Sequence, residues 1–318
     1  MMTNKQQLLH ALSCGRDRYQ SGEELARTLG ISRAAVWKAI ERLRDEGHLI
    51  EGKSRVGYRL ISLSPLFDHG RLSRELAGWD VQLFDTIDST NRYAKALSSE
   101  RAVVIALSQS AGRGRLGRSF YSPRGGLYLS LRLPISFPIG EAMLLTSMAS
   151  VAVHRALLET TGKECAIKWV NDLYLGEKKV CGILTEGVVG MESGQLSSVV
   201  VGIGINLFSA LDEELRERAT SLYESEEEAI GDLDANLLVI RIVEYLTALI
   251  ERLPDRGYLS YYRTYSLLTD RDVVVHQGRE HFEARVVEID DEAHLVVADR
   301  EGEIHTLSSA EVTIRLAR

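Results

Sequence analysis

Apolar positions along the chain fall first into helical and then into strand periods, and the order of the two outlines the architecture. Leu25, Ala26 and Leu29 follow Ser21-Gly22-Glu23-Glu24, a Ser-x-x-Glu box that caps a helix start, and Gly30 ends the pattern. Ser32 precedes a second helical stripe, Val36, Ile40 and Leu43, whose opposite face carries Arg33, Trp37 and Lys38. Two extended runs, Leu49–Glu51 and Tyr58–Ile61, then flank the basic turn Lys53-Ser54-Arg55-Val56-Gly57. This order predicts a winged helix-turn-helix over residues 1–64, with Ser62-Leu63-Ser64-Pro65 as a linker.

Strands and helices mix beyond the linker. Val81–Phe84, Val103–Leu107, Leu127–Leu131, Cys165–Trp169, Lys179–Glu186 and Ser198–Ile205 read as strands. Helices are expected from Thr86 to Leu97, over Glu141–Thr161 and over Asn236–Leu253. Several neighbouring strands are joined by short turns, which predicts a mixed or antiparallel sheet rather than a doubly wound one. From about residue 268 five short strands follow: Val273–His276, Phe282–Ile289, His294–Ala298, Ile304–Leu307 and Val312–Leu316. Turns at Gln277-Gly278, Asp290-Asp291 and Glu301-Gly302 separate them, the pattern of a small barrel. The expected fold is α+β and multidomain, in segments 1–64, 66–267 and 268–318.

Composition narrows the setting. The 318 residues are 45% hydrophobic and 26% charged, as in ordinary soluble proteins. No stretch approaches the roughly 20 apolar residues of a membrane span. The opening residues are too polar for a secretory signal. Cys14, Cys165 and Cys181 are odd in number and lack C-x-x-C spacing, which points to reduced thiols in the cytoplasm and no structural zinc. The histidines are scattered, so no metal site is expected. Charge is uneven: residues 1–64 hold 11 Lys+Arg against 7 Asp+Glu, the remainder 27 against 38. A basic head on an acidic body points to a polyanion partner for the head alone. Ser21, Ser32, Arg33, Trp37, Lys38 and Arg55 are its candidate DNA contacts.

The strongest chemical signal is the loop Ser108–Phe120, SQSAGRGRLGRSF. Glycine lets a backbone approach an anion closely, and arginine offers a fixed fork of donors to phosphate or carboxylate. Gly112, Gly114 and Gly117 spell G-x-G-x-x-G, and Gly112–Ser119 approaches a P-loop. Both motifs need a helix directly after the glycines. Here a turn, Ser122-Pro123-Arg124-Gly125-Gly126, leads into a strand, so both readings are rejected. A solvated basic hairpin is the plainer alternative.

Three further motifs sit at strand ends: Lys168-Trp169-Val170-Asn171-Asp172, Lys178-Lys179-Val180-Cys181-Gly182-Ile183-Leu184 and Gly202-Ile203-Gly204-Ile205-Asn206. A lysine with Asn and Asp beside it offers one substrate a cation, an amide and a carboxylate. Singly, each lysine is as easily a solvent-facing residue. With Ser89-Thr90-Asn91, Gln109 and the winged head, the set resembles the bifunctional biotin–protein ligases that are also biotin operon repressors, over nearly the whole chain. One departure is Val170, where that family usually has proline.

The resemblance implies a class II synthetase-like central domain, a small SH3-like β-barrel at the C-terminus, and two half-reactions. Biotin and ATP form biotinyl-5′-adenylate, with Mg²⁺ accompanying ATP, and a lysine of a biotin carboxyl-carrier protein then takes the biotin. It implies that Ser89, Thr90, Asn91 and Gln109 hold the ring end of biotin. Arg113, Gly114 and Arg115 would cover the carboxylate and phosphate, Lys179 would contact the reacting oxygens, Lys168 and Asp172 would support phosphate and Mg²⁺, and Asn206 would meet the adenine. Asp172 is also a candidate base. The adenylate would act as corepressor, driving a homodimer onto operator DNA. A non-catalytic metabolite-sensing repressor and a lipoate-type ligase are the alternatives.

Overall fold

The computed structural model describes residues 3–15, 18–45, 48–62, 66–134, 142–189, 196–277, 280–308 and 310–314. Residues 63–65 of the expected linker, and Glu141, Gly278, Arg315 and Leu316 of expected elements, lie outside them. The chain forms two compact units, one of Met1–Asp68 with Tyr223–Asn236, the other of His69–Leu222 with Leu237–Arg318.

The first unit opens with a helix the strand-and-helix pattern above does not include, α1 (Asn4–Cys14), which buries Leu8, Leu9 and Leu12. Helix α2 (Gly22–Leu29) starts at Ser21, whose Oγ accepts the Glu24 N–H at 3.0 Å, and stops at Gly30 in the left-handed region. Helix α3 (Arg33–Asp45) is capped by Ser32, whose Oγ accepts the Ala35 N–H. Val36, Ile40 and Leu43 face the core, leaving Arg33, Trp37 and Lys38 exposed. Strands β1 (Leu49–Lys53) and β2 (Gly57–Ser62) form the wing, and Arg44 ties α3 to it through the Ile50 carbonyl at 2.8 Å.

Tyr223–Asn236, which the sequence pattern assigns to the central segment, completes this unit. Its short helix (Glu226–Asp232) packs on α1, Ile230 lies against the head's apolar core, and Asn236 Oδ1 accepts the Asp68 N–H.

The second unit holds a seven-stranded mixed sheet and a five-stranded antiparallel one. The large sheet contains β3 (Asp80–Ile87), β4 (Ala102–Gln109), β5 (Gly126–Pro134), β6 (Ala166–Lys168), β7 (Asp172–Leu175), β8 (Lys178–Val189) and β9 (Leu196–Asn206). Their order is β3-β4-β5-β9-β8-β7-β6; β3 and β4 run parallel, and the other ladders are antiparallel. β4 reads as a continuous apolar run, and Val103, Val104, Ile105 and Ala106 are fully buried, so neither face of this strand meets water there. The long helix Ala142–Thr161 packs on β6–β8 and is buried nearly all round, which explains why its apolar stripe is so wide.

Two local expectations change. The helix expected from Thr86 begins at Thr90, because Thr86 and Ile87 still pair with Ser108 and Gln109 in the β3–β4 ladder. Lys168-Trp169-Val170-Asn171-Asp172 turns a hairpin instead of ending a strand: Lys168 closes β6 and pairs with Asp172, which opens β7. The Trp169–Val170 peptide bond is cis.

The C-terminal strands are β10 (Asp272–Gln277), β11 (Glu280–Ile289), β12 (Leu295–Asp299), β13 (Ile304–Leu307) and β14 (Glu311–Ile314), in the order β13-β12-β11-β10-β14. The Trp169 indole N–H donates to the Ala293 carbonyl at 2.8 Å, so the turn before β12 grips the β6–β7 hairpin. Among the described residues, no helix is long and apolar enough to cross a membrane.

Candidate functional site

The open ends of β4, β6, β7, β8 and β9 surround a cavity of about 690 Å³ in the second unit. Every ligand-contact and catalytic residue expected from the sequence lines it: Ser89, Thr90, Asn91, Gln109, Arg113, Gly114, Arg115, Lys168, Asp172, Lys179 and Asn206. Positions scattered over more than a hundred residues thus converge, because they sit at the ends of neighbouring strands or in the segments that follow them.

The cavity is electrically one-sided. Arg113, Arg115, Arg118, Lys168, Lys179 and Arg218 line it, and Asp172 is the one carboxylate among the described lining residues. Asp172 Oδ1 lies 2.7 Å from Lys179 Nζ, and both side chains are largely buried. Lys168 Nζ reaches the Tyr174 hydroxyl at 3.4 Å, and burial pushes that phenol up to about 12.

The glycine–arginine loop folds as a tight flap. Gly114 N–H donates to the Arg118 carbonyl, Phe120 N–H to Gly112, and Arg115–Gly117 makes one 3-10 turn. Arg115 Nη1 donates to Asn171 Oδ1 at 3.1 Å, while Asn171 Nδ2 donates to the Ile183 carbonyl. The Phe120 ring lies under the flap, its centroid 5.8 Å from Lys179 Nζ.

At the other end the polar groups form one chain. Gln109 Oε1 accepts both the backbone N–H and the hydroxyl of Thr90, and Gln109 Nε2 donates to Ser122 Oγ. Buried Ser130 Oγ lies 2.8 Å from Thr90 Oγ1 and 2.6 Å from Asn91 Oδ1. Asn91 Nδ2 donates to Glu186, which also pairs with Lys95 at 2.5 Å. Asn91 therefore gives its amide to protein partners, a supporting position its motif alone does not reveal. Ser89 Oγ accepts the Arg92 N–H as the cap of the helix Thr90–Ala96. Asn206 Nδ2 donates to the Thr220 carbonyl, which turns its Oδ1 the other way. Phe120, Ser122, Ser130 and Glu186 belong to the site yet were missed in the sequence; Glu186 stands only two residues beyond the lysine motif, whereas Ser130 carries no signal.

In the first unit Ser21, Arg33, Trp37 and Arg55 share a concave surface between α2, α3 and the wing. Ser32 and Lys38 lie outside that lining; Ser32 caps α3, and Lys38 is exposed. Trp37 is 54% exposed, so it is not core packing. The turn between β12 and β13 gathers Asp299, Glu303 and His305 with possible ligand atoms within 4.8 Å, a cluster the scattered histidines do not announce. Asp299 there already accepts the Glu301 and Glu303 N–H groups and meets His305 Nε2 at 2.7 Å.

Residues 83–206 match the Biotin/lipoate A/B protein ligase family, and residues 4–59 match an HTH domain. The bifunctional ligase/repressor BirA of Bacillus subtilis is 32% identical over 98% of this chain and 99% of its own length. The protein of that name from Escherichia coli is 31% identical over 94% of each. Among solved structures, the biotin protein ligase of Aquifex aeolicus in complex with biotin and ATP aligns with a TM-score of 0.61 and 27% identity, covering 75% of this chain and 99% of that one.

Proposed function

We infer the function of this chain from its kinship: it belongs to the bifunctional ligase/repressor family, and it is an ATP-dependent biotin–protein ligase that also represses transcription. The observation that carries the reading is the cavity's charge. Six cations against one carboxylate suit two anionic substrates meeting in one place.

The chemistry follows from that meeting. Biotin's carboxylate oxygen attacks the α-phosphorus of ATP, and the bond to the pyrophosphate oxygen breaks as pyrophosphate leaves with the electron pair. A lysine amine of the carrier protein then attacks the acyl carbon of the adenylate, losing a proton as AMP departs. Lys179 and Arg115 neutralise charge that builds on the reacting oxygens; charge-assisted hydrogen bonds contribute roughly 1.5–3 kcal/mol each. Arg113, Gly114 and Arg115 close over the mixed anhydride and exclude water. Asn206 orients the adenine, and Ser89, Thr90 and Gln109 hold the ring end of biotin. Asp172, the carboxylate at the cavity wall, would hold the Mg²⁺ that accompanies ATP, and the ion would supply neutralising charge to the phosphates when bound. Lys168 supports the same phosphates. Positioning and neutralisation carry the catalysis, without a covalent nucleophile.

The winged head gives the adenylate its second use. Arg33, Trp37 and Arg55 face operator DNA, with Ser21, Ser32 and Lys38 at its phosphates. Adenylate-bound, cytoplasmic protein pairs as a homodimer whose two-fold symmetry matches a palindromic operator. Incubation with biotin, ATP and Mg²⁺ should leave a retained biotinyl-adenylate detectable by mass, and lipoate in its place should not. Absence of pyrophosphate release would instead favour a non-catalytic sensor. Sedimentation should show monomer become dimer on adding biotin and ATP, and binding to a palindromic duplex should weaken steeply with salt.

A further inference from the structure

We propose that Glu186, which does not line the cavity, is a positioning residue that sets the donor–acceptor sense of the hydrogen-bond chain at the cavity's ring end, so that Thr90 presents lone pairs to an N–H donor of the ligand. The proposal rests on the biotin reading above and deepens it to the origin of ring specificity.

The chain of groups is Gln109, Thr90, Ser130, Asn91, Glu186 and Lys95, and its two ends are held independently. At one end the Thr90 backbone N–H, 2.9 Å from Gln109 Oε1, dictates which way the Gln109 amide faces. At the other, an ionised Glu186 can only accept, so Asn91 must turn Nδ2 toward it, at 2.8 Å. Lys95 Nζ, 2.5 Å from the second carboxylate oxygen, keeps that group charged although it is largely buried. Burial pushes the Glu186 carboxyl up, but the Lys95 and Asn91 hydrogen bonds and the charges of Lys95 and Arg113 outweigh it and hold it below its usual range.

Between the two ends the Ser130 proton has one place. Asn91 Oδ1 only accepts, so Ser130 gives it its single proton at 2.6 Å. The Thr90 proton then goes to Ser130 Oγ at 2.8 Å or Gln109 Oε1 at 3.1 Å, both within the protein. Either way Thr90 Oγ1, on the cavity wall, has no proton for a ligand, and Ser130 leaves its lone pairs unspent. A flipped Asn91 would drive the Ser130 proton onto Thr90 and consume one of them. Gly202 holds the amide in its seat, since a Cβ there would stand 2.1 Å from Asn91 Oδ1. An acceptor at this place favours a cyclic urea, which carries two N–H groups, over a dithiolane, which carries none. A polar site rejects a ligand that leaves its groups unpaired far more strongly than an apolar one does.

The test uses the full chain with Mg²⁺-ATP and pyrophosphate release, comparing biotin with an N-methylated biotin that lacks the ureido N–H. Glu186→Gln should raise the biotin KM about tenfold, leave kcat within about twofold, and shrink the preference for biotin over its methylated analogue about tenfold, the loss of one well-placed hydrogen bond. Lys95→Met should make the biotin KM climb as pH falls, a titration absent from Glu186→Gln. An unchanged KM and preference in Glu186→Gln would overturn the proposal. If that variant melts below the assay temperature, the Lys95→Met pH profile decides, and a flat one overturns it. A wild-type chain that releases no pyrophosphate with biotin overturns the ligase reading, and this proposal with it.

Discussion

Arg115 Nη1 and Asn171 Oδ1 stand 3.1 Å apart, so the glycine–arginine flap is latched to the hairpin between β6 and β7. The latch joins the two motifs that carry most of the family resemblance. Arg115→Gly removes it together with one proposed anion partner, and the adenylate should escape about a hundredfold faster, as expected from losing one or two charge-assisted hydrogen bonds. Indiscriminate biotin labelling of lysines on a bystander protein is the readout; an unchanged adenylate off-rate would refute the role.

Lys179 pairs with Asp172 at 2.7 Å and faces the cavity. Lys179→Ala should cut adenylate formation by about 10²–10³, the scale of removing one preorganised electrostatic contact. The head core draws on other residues, so DNA-head folding should be intact by circular dichroism. Normal pyrophosphate release from this variant would sink the assignment.

Gly202→Ala places a methyl 2.1 Å from Asn91 Oδ1, where the neighbour is a clamped amide and cannot yield cheaply. Overpacking of this kind costs about 1–3 kcal/mol, so thermal unfolding should shift down by several degrees and the biotin KM should rise. A variant with wild-type melting and KM would show that the amide has room to move.

Thiol reactivity should separate the cysteines. Cys14 is exposed, whereas Cys165 and Cys181 are buried; burial pushes Cys165 up to about 11 and Cys181 well above its ordinary value. A thiol reagent at neutral pH should therefore modify Cys14 quickly and the other two only on unfolding. Fast labelling of Cys181, which lies within the lysine motif, would mean that the sheet opens there.

His154 is 1% exposed; Nε2 donates to the Cys165 carbonyl at 2.7 Å, and Nδ1 accepts from the Tyr261 hydroxyl at 2.9 Å. Burial lowers its pKa, so the folded state holds it neutral. Below about pH 6.5 the unfolded chain takes up a proton that the folded one refuses, and this contribution to stability falls progressively as pH drops toward the folded pKa. Denaturant midpoints should decline from pH 7.5 to 5.5, and His154→Gln should flatten the decline.

Much of this protein was legible because its signals are local. The Ser21 and Ser32 caps, the Val36-Ile40-Leu43 stripe and the alternating tail strands are written in spacings of a few residues, and spacing sets which side chains share a face. The apolar run 103–107 also announces a buried strand, since a strand covered on both faces needs no polar alternation. Helix α1 was legible in principle, from Leu8, Leu9 and Leu12, but its low amphipathicity made a faint mark beside the capped helices that follow.

The sequence by itself determined most of the order of elements, the basic head and the candidates for anion contact, because these depend on residue type and near-neighbour spacing. Only the tertiary structure decided that Tyr223–Asn236 completes the head, that Lys179 pairs with Asp172, and that Glu186 and Ser130 stand behind Asn91. Those relationships arise from strand order: β8 and β9 lie side by side with β5, so residues dozens of positions apart come within hydrogen-bonding distance. No periodicity encodes such a meeting, since it is set by which buried faces pack together.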